Sequence, residues 1–132
     1  SCALEAVCEL AEATPENEAL VSVLLAAIKP IFFNELRTRQ QLGYVVSCYM
    51  RTRIARISLE FLVQTERHPE VARQCIRTCI EQMWEHVLTD LTEEEFSHHC
   101  DGMLKQVAEK PHNLWEALQR DWVPIEERTM IF

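Results

Sequence analysis

The order in which strand and helix signals follow one another predicts an α+β fold, a two-layer sandwich of an antiparallel sheet covered on one face by helices. Three observations carry that prediction. Ile57, Leu59, Phe61 and Val63 alternate with Arg56, Ser58, Glu60 and Gln64, the period of a half-buried strand. Val71, Ala72, Cys75, Ile76, Cys79, Ile80, Met83, Trp84, Val87 and Leu88 fall on one helical stripe, opposite Glu70, Arg73, Arg77, Glu81 and Glu85. Thr92-Glu93-Glu94-Glu95 reads as a capping box, with Leu91 and Phe96 placed for a hydrophobic staple.

In chain order, residues 2–11 are open to two readings. Alternation of Cys2, Leu4, Ala6, Cys8 and Leu10 with Ala3, Glu5, Val7, Glu9 and Ala11 suits a strand, whereas the Ala- and Glu-rich composition favours a helix. Thr14-Pro15 then reads as an N-cap followed by proline at the first helical position. The helix it opens runs from Glu16 to about Thr38 and is buried, because Leu20 to Ile28 is apolar on almost every side. Pro30 should kink it, and Gly43 should end the run at a turn. Val45 to Met50 is a strand joined to residues 57–63 as a hairpin through Arg51-Thr52-Arg53, whose turn type the residues do not name. The stripe helix begins at Pro69 and closes at Thr89-Asp90, and a further helix runs from Glu93 to about Glu109. Pro111 breaks that helix and can begin a last one, which carries Leu114, Trp115, Leu118 and Trp122 on its buried stripe and ends at Pro124.

At 132 residues the chain reads as one domain, 1–132, with 48% hydrophobic residues to build a core and too few glycines and prolines for disorder. A net charge of −8 makes it a poor partner for nucleic acid or anionic lipid, since phosphate binding needs concentrated Lys and Arg. The uninterrupted apolar run Val23 to Ile28 is far below the roughly 20 residues that cross a bilayer, so no membrane partner is expected. Six cysteines without a CxxC spacing read as buried thiols acting as small hydrophobes, which places the chain in a reducing compartment, the cytoplasm. The same spacing counts against a thiol-based redox protein.

His98, His99 and Cys100 beside Glu93, Glu94 and Glu95 are the first candidates for metal ligands. Adjacent helical positions point about 100° apart, so an exposed polar face is the better reading. Gln82-Met83-Trp84-Glu85-His86 resembles an HxxEH zinc signature with glutamine in place of the first histidine, and its Met83 and Trp84 are already needed for the core. The chain contains no HExxH, paired CxxC, phosphate loop or GxSxG, hence no complete catalytic set and no predicted metal ligand.

The segment Phe32-Phe33-Asn34-Glu35-Leu36-Arg37-Thr38-Arg39-Gln40-Gln41-Leu42-Gly43-Tyr44-Val45-Val46 is different in kind. It resembles the helix-to-strand segment FNxLRTxxQLGYxV in the last domain of the insulin-degrading-enzyme/pitrilysin family of zinc metallopeptidases. Weaker similarity covers the preceding helix, Gln64-Thr65-Glu66, the stripe helix, the corner Leu91-Thr92-Glu93-Glu94 and the break at Lys110-Pro111. The resemblance implies a zinc-free C-terminal part of an enzyme that hydrolyses oligopeptides, with zinc and its glutamate base bound outside this chain in an N-terminal catalytic half. It implies catalytic and substrate-binding roles for Arg37 and Tyr44, and a substrate-pocket role for Phe33. It also implies that the family's domain continues past Phe132, so the chain is expected to be an incomplete copy that self-associates through uncovered surface. An interaction module that kept the fold and lost the chemistry is the competing reading.

Overall fold

The computed structural model describes residues 1–109 and 112–126. Three strands, β1 (Cys2–Glu12), β2 (Val45–Arg53) and β3 (Arg56–Thr65), form one antiparallel sheet in the order β1-β3-β2. The helices are α1 (Pro15–Phe33), α2 (Pro69–Thr89), α3 (Glu93–Ala108) and α4 (Leu114–Glu126). A π-helical turn, Asn34–Arg39, continues α1 without a break.

The first ten residues are a strand, and the alternation prevails over helix propensity for a non-local reason. The β3 edge offers partners in register, Leu4 opposite Val63, Ala6 opposite Phe61 and Cys8 opposite Leu59. Those pairs put Leu4, Ala6 and Cys8 on the face where the helices lie, together with Val46 and Cys48 of β2. Ile57, Leu59, Phe61 and Val63, all on that face of β3, are fully buried beneath Ile28 and Phe32 of α1 and Ala72, Ile76, Cys79 and Met83 of α2. Phe32 and Phe61 meet at 5.1 Å between ring centroids. The sheet therefore has one helix-covered face, as the alternation requires.

The α1 N-cap is Thr14, whose hydroxyl accepts from the Asn17 amide at 3.2 Å. With its π-turn the helix spans Pro15–Arg39, 25 residues long and apolar enough by length and composition to cross a bilayer. Here Val21, Val23, Ala27, Ile28 and Phe32 are buried, so it is the central helix of a core, with Leu20 and Phe33 left exposed. It continues through Pro30, and from Asn34 the ladder widens, with the Gln40 amide donating to Glu35 O at 3.0 Å. On α2 the buried stripe is narrower than the sequence pattern, because Val71 and Leu88 stand exposed at the two ends. The α3 capping box forms as read, Thr92 and Glu95 bonding each other's backbone amides.

Three turn expectations need correction. The hairpin turn is Ile54-Ala55, with Arg51, Thr52 and Arg53 inside β2. Both turn residues have positive φ, 49° and 60°, the pattern of a type I′ turn made without the usual Asn or Gly. Gly43 does not end the helix and its φ is not positive. The helix ends at Arg39 with Gln40 as its cap, Gln41 turns the chain at φ 47°, and the Leu42 amide returns to Leu36 O at 2.8 Å. Lastly, α4 runs through Pro124 to Glu126, since a proline in the last turn removes only one donor. The expected break at Lys110-Pro111 lies outside the described residues.

The opposite sheet face is covered by its own side chains. Glu60 of β3 is fully buried there between Arg51 at 3.3 Å and Arg53 at 3.2 Å, ion pairs without a well-aligned hydrogen bond. Beside them Tyr49 donates to Glu5 at 2.7 Å, which lowers the Glu5 carboxyl from its ordinary range and pushes the Tyr49 phenol up to about 12.

Candidate functional site at the helix-to-strand junction

The chain from Arg37 to Tyr44 passes from the π-turn into β2 in a few residues, and its geometry follows from how that passage is filled. Leu36 and Leu42 are buried in the core, so the backbone between them is pinned at both ends. Gly43 lies flat against the end of β3. A Cβ there would strike the Gln64 carbonyl oxygen, stand 2.9 Å from its carbon and 3.3 Å from Thr65 Cα. Glycine is required here by close approach of two backbones rather than by φ.

Tyr44 emerges from this passage with 84% of its surface exposed. Its ring lies under the Arg37 guanidinium, whose carbon is 4.5 Å from the ring centroid. Arg37 Nη1 donates to the Gly43 carbonyl at 3.3 Å and to the Tyr44 carbonyl. One guanidinium thus holds the ring by its π-face and the backbone by its oxygens, leaving the phenol hydroxyl free to donate outward. Among the described residues, no hydrogen bond is made by Arg37 Nε or Nη2, so those donors remain unused.

Arg37 and Tyr44 border a hollow of about 560 Å³ with Gln41, Gly43, Gln64, Thr65, Glu66 and Arg67. The structure therefore brings together two of the three site residues read from the sequence. Phe33, at the end of α1 and 48% exposed, is not among the lining residues. The sequence reading touched Thr65 only within the segment Gln64-Thr65-Glu66, without giving it a role, and passed over Arg67. Their relation to the Tyr44 segment exists only through the sheet.

The metal candidates stay apart. His86 Nδ1 pairs with Asp90 at 3.2 Å, Met83 of the same helix is buried in the core, and the rings of His98 and His99 are 6.2 Å apart. Among the described residues no three His, Cys, Asp or Glu side chains converge in a way that could hold a metal ion. Burial pushes the Cys48 thiol up to about 12 and the Cys79 thiol up to about 11, the behaviour of packed, un-ionised side chains.

Residues 23–122 match the family described as PQQ synthase PqqF-like, C-terminal lobe domain 4. Mouse insulin-degrading enzyme is 30% identical over 111 residues, which is 84% of this chain and 11% of that enzyme. A Schizosaccharomyces pombe protein that carries the name of a zinc protease, mug138, is 32% identical over 107 residues, 81% of this chain and 11% of that protein. The chain thus spans about a ninth of the relatives it matches. In structure it is similar to crystalline pitrilysin with a TM-score of 0.74 at 23% identity, over 96% of this chain and 14% of that one.

Proposed function

The chain belongs to the insulin-degrading-enzyme/pitrilysin family of zinc metallopeptidases, as part of its C-terminal lobe, and we propose that it is the substrate-binding, zinc-free part of a zinc metalloendopeptidase acting on oligopeptides. We take residues 1–132 as one unit that is inactive alone and completes its site with an N-terminal catalytic half. The observation that carries this reading is the Arg37–Tyr44 pair at the rim of an open hollow.

In that role the Tyr44 hydroxyl donates to the oxyanion that develops as water attacks a peptide carbonyl, a contact that strengthens only in the transition state. Arg37 holds the extended peptide by its carbonyls before chemistry begins. Phe33 offers an exposed aromatic surface to a substrate side chain. Zinc bound in the N-terminal half would polarise the attacking water. We place the protein in the cytoplasm, a setting consistent with the packed thiols of Cys48 and Cys79.

A fluorogenic peptide assay tests the reading. The chain alone should show no turnover, and zinc-dependent cleavage should appear when the N-terminal half is supplied. Zinc-dependent cleavage by the chain alone would overturn the assignment.

One observation favours a second reading, an interaction module. The stripe Leu114, Trp115, Leu118 and Trp122 of α4, expected to be buried, is instead more than half exposed at each residue because no element packs over it among the described residues, and the outer edge of β1 pairs with no strand among them. The same surfaces are where we propose self-association. Light scattering that shows a clean monomer at high concentration would rule that out.

A further inference from the structure

The segment that carries Tyr44 is held from two sides, and only one of them belongs to the pair described above. On the far side stands the end of β3. The Thr65 hydroxyl, 1% exposed with its residue, donates to the Leu42 carbonyl and accepts from the Arg67 amide at 3.0 Å. Arg67 Nη2 donates to the Gln40 carbonyl at 3.0 Å. With Arg37 on the Gly43 and Tyr44 carbonyls, four of the five carbonyls from Gln40 to Tyr44 each receive a side-chain donor. Such a density of side-chain donors on a short non-helical run is far above what burial alone requires. It removes the torsional freedom that a strand-entry loop with an exposed tip ordinarily has.

We propose that Thr65 and Arg67 are positioning residues for Tyr44: they clasp the backbone of residues 40–42, and Arg37 completes the clasp at 43–44. The inference rests on the catalytic reading of Tyr44 and adds two residues that act through the backbone of its segment rather than on the reacting atoms. Physically, the flat seat of Gly43 on Gln64 sets the height of the segment, and the clasp sets its direction. A donor aimed at a developing oxyanion loses most of its value when displaced by about 1 Å, so the cost of loosening the clasp falls on turnover rather than binding.

The chain has two tyrosines, Tyr44 and Tyr49, so tyrosine-labelled protein gives two assignable ring signals. In the unmodified chain the Tyr44 ring should show a nuclear Overhauser contact with the Arg37 side chain. Thr65→Val and Arg67→Gln should each weaken it and leave the Tyr49 ring unchanged, whereas Thr65→Ser and Arg67→Lys should keep it. Arg67 lies at the solvent edge of the hollow, so Arg67→Gln keeps the test decisive even if Thr65→Val fails to fold. An undiminished contact in Arg67→Gln overturns the proposal.

In the complete enzyme, each of the two disruptive variants should lower kcat by about tenfold or more with little change in KM. In a Tyr44→Phe background the same substitutions should cost less than about threefold, because the group they aim is already gone. Full additivity with Tyr44→Phe would show that they act on something else and overturn the proposal. Normal kcat in Tyr44→Phe, alongside a lost ring contact in Arg67→Gln, would sink the catalytic reading while the clasp stands.

Discussion

Gly43→Ala isolates the claim that two backbones meet at the start of β2. The chain has two glycines, and their surroundings are opposite. At Gly43 a methyl group would strike the Gln64 carbonyl oxygen and sit 2.9 Å from its carbon, with no flexible side chain available to give way. At Gly102, inside α3, a methyl group meets nothing within 4 Å. Because φ at Gly43 is not positive, alanine brings no backbone strain of its own there, and the whole cost is steric. Forcing the β3 end away from the Tyr44 segment also lengthens the Thr65–Leu42 and Arg67–Gln40 hydrogen bonds. Overpacking of this kind costs about 3 kcal/mol. Gly102→Ala should instead stabilise α3 by about 0.8 kcal/mol, the ordinary glycine-to-alanine gain in an exposed helix. In denaturant unfolding the two variants should move the midpoint in opposite directions at unchanged slope. A loss below about 0.5 kcal/mol in Gly43→Ala would refute the close approach, since surface changes without a mechanism fall in that range.

Other expectations follow from the same physics. Ile54→Asn with Ala55→Gly should stabilise the hairpin by about 1 kcal/mol, read by thermal melting, because both φ values are positive and neither native residue suits them. Glu60→Leu should be close to neutral, whereas Arg51→Ala with Arg53→Ala should cost about 3 kcal/mol by leaving a buried carboxylate unpaired. The Cys48 thiol has a folded pKa raised by burial, so its contribution to stability is fully present below the unfolded value of 9.0 and is lost as pH rises towards about 12. Cys48→Ala should flatten that alkaline limb in a pH series of unfolding midpoints.

What could be read from the sequence was local. The α2 stripe, the α3 capping box and the Thr14-Pro15 start are signals carried by residues three or four apart, and each element stands where those signals put it. What could not be read was non-local. Residues 2–11 carry a strand period and a helix composition at once, and only pairing with β3 decides between them. The Ile54-Ala55 turn lacks any glycine or asparagine and is imposed by the register of the strands it joins. Gly43 was recognisable as necessary but not for its reason, because the Gln64 backbone it rests on is more than twenty residues away in sequence. The site divides the same way. Arg37 and Tyr44 stand in a recognisable segment, while Thr65 and Arg67 reach that segment only through the folded sheet.

The most direct test of the central claim is Tyr44→Phe in the complete enzyme. The substitution removes one exposed hydroxyl and leaves the ring beneath Arg37, so the melting temperature should not move. If that hydroxyl serves the oxyanion, steady-state kinetics should show kcat lowered by about 10² to 10³ with KM nearly unchanged. Unchanged kcat would contradict the account and return Tyr44 to an ordinary residue at the start of a strand.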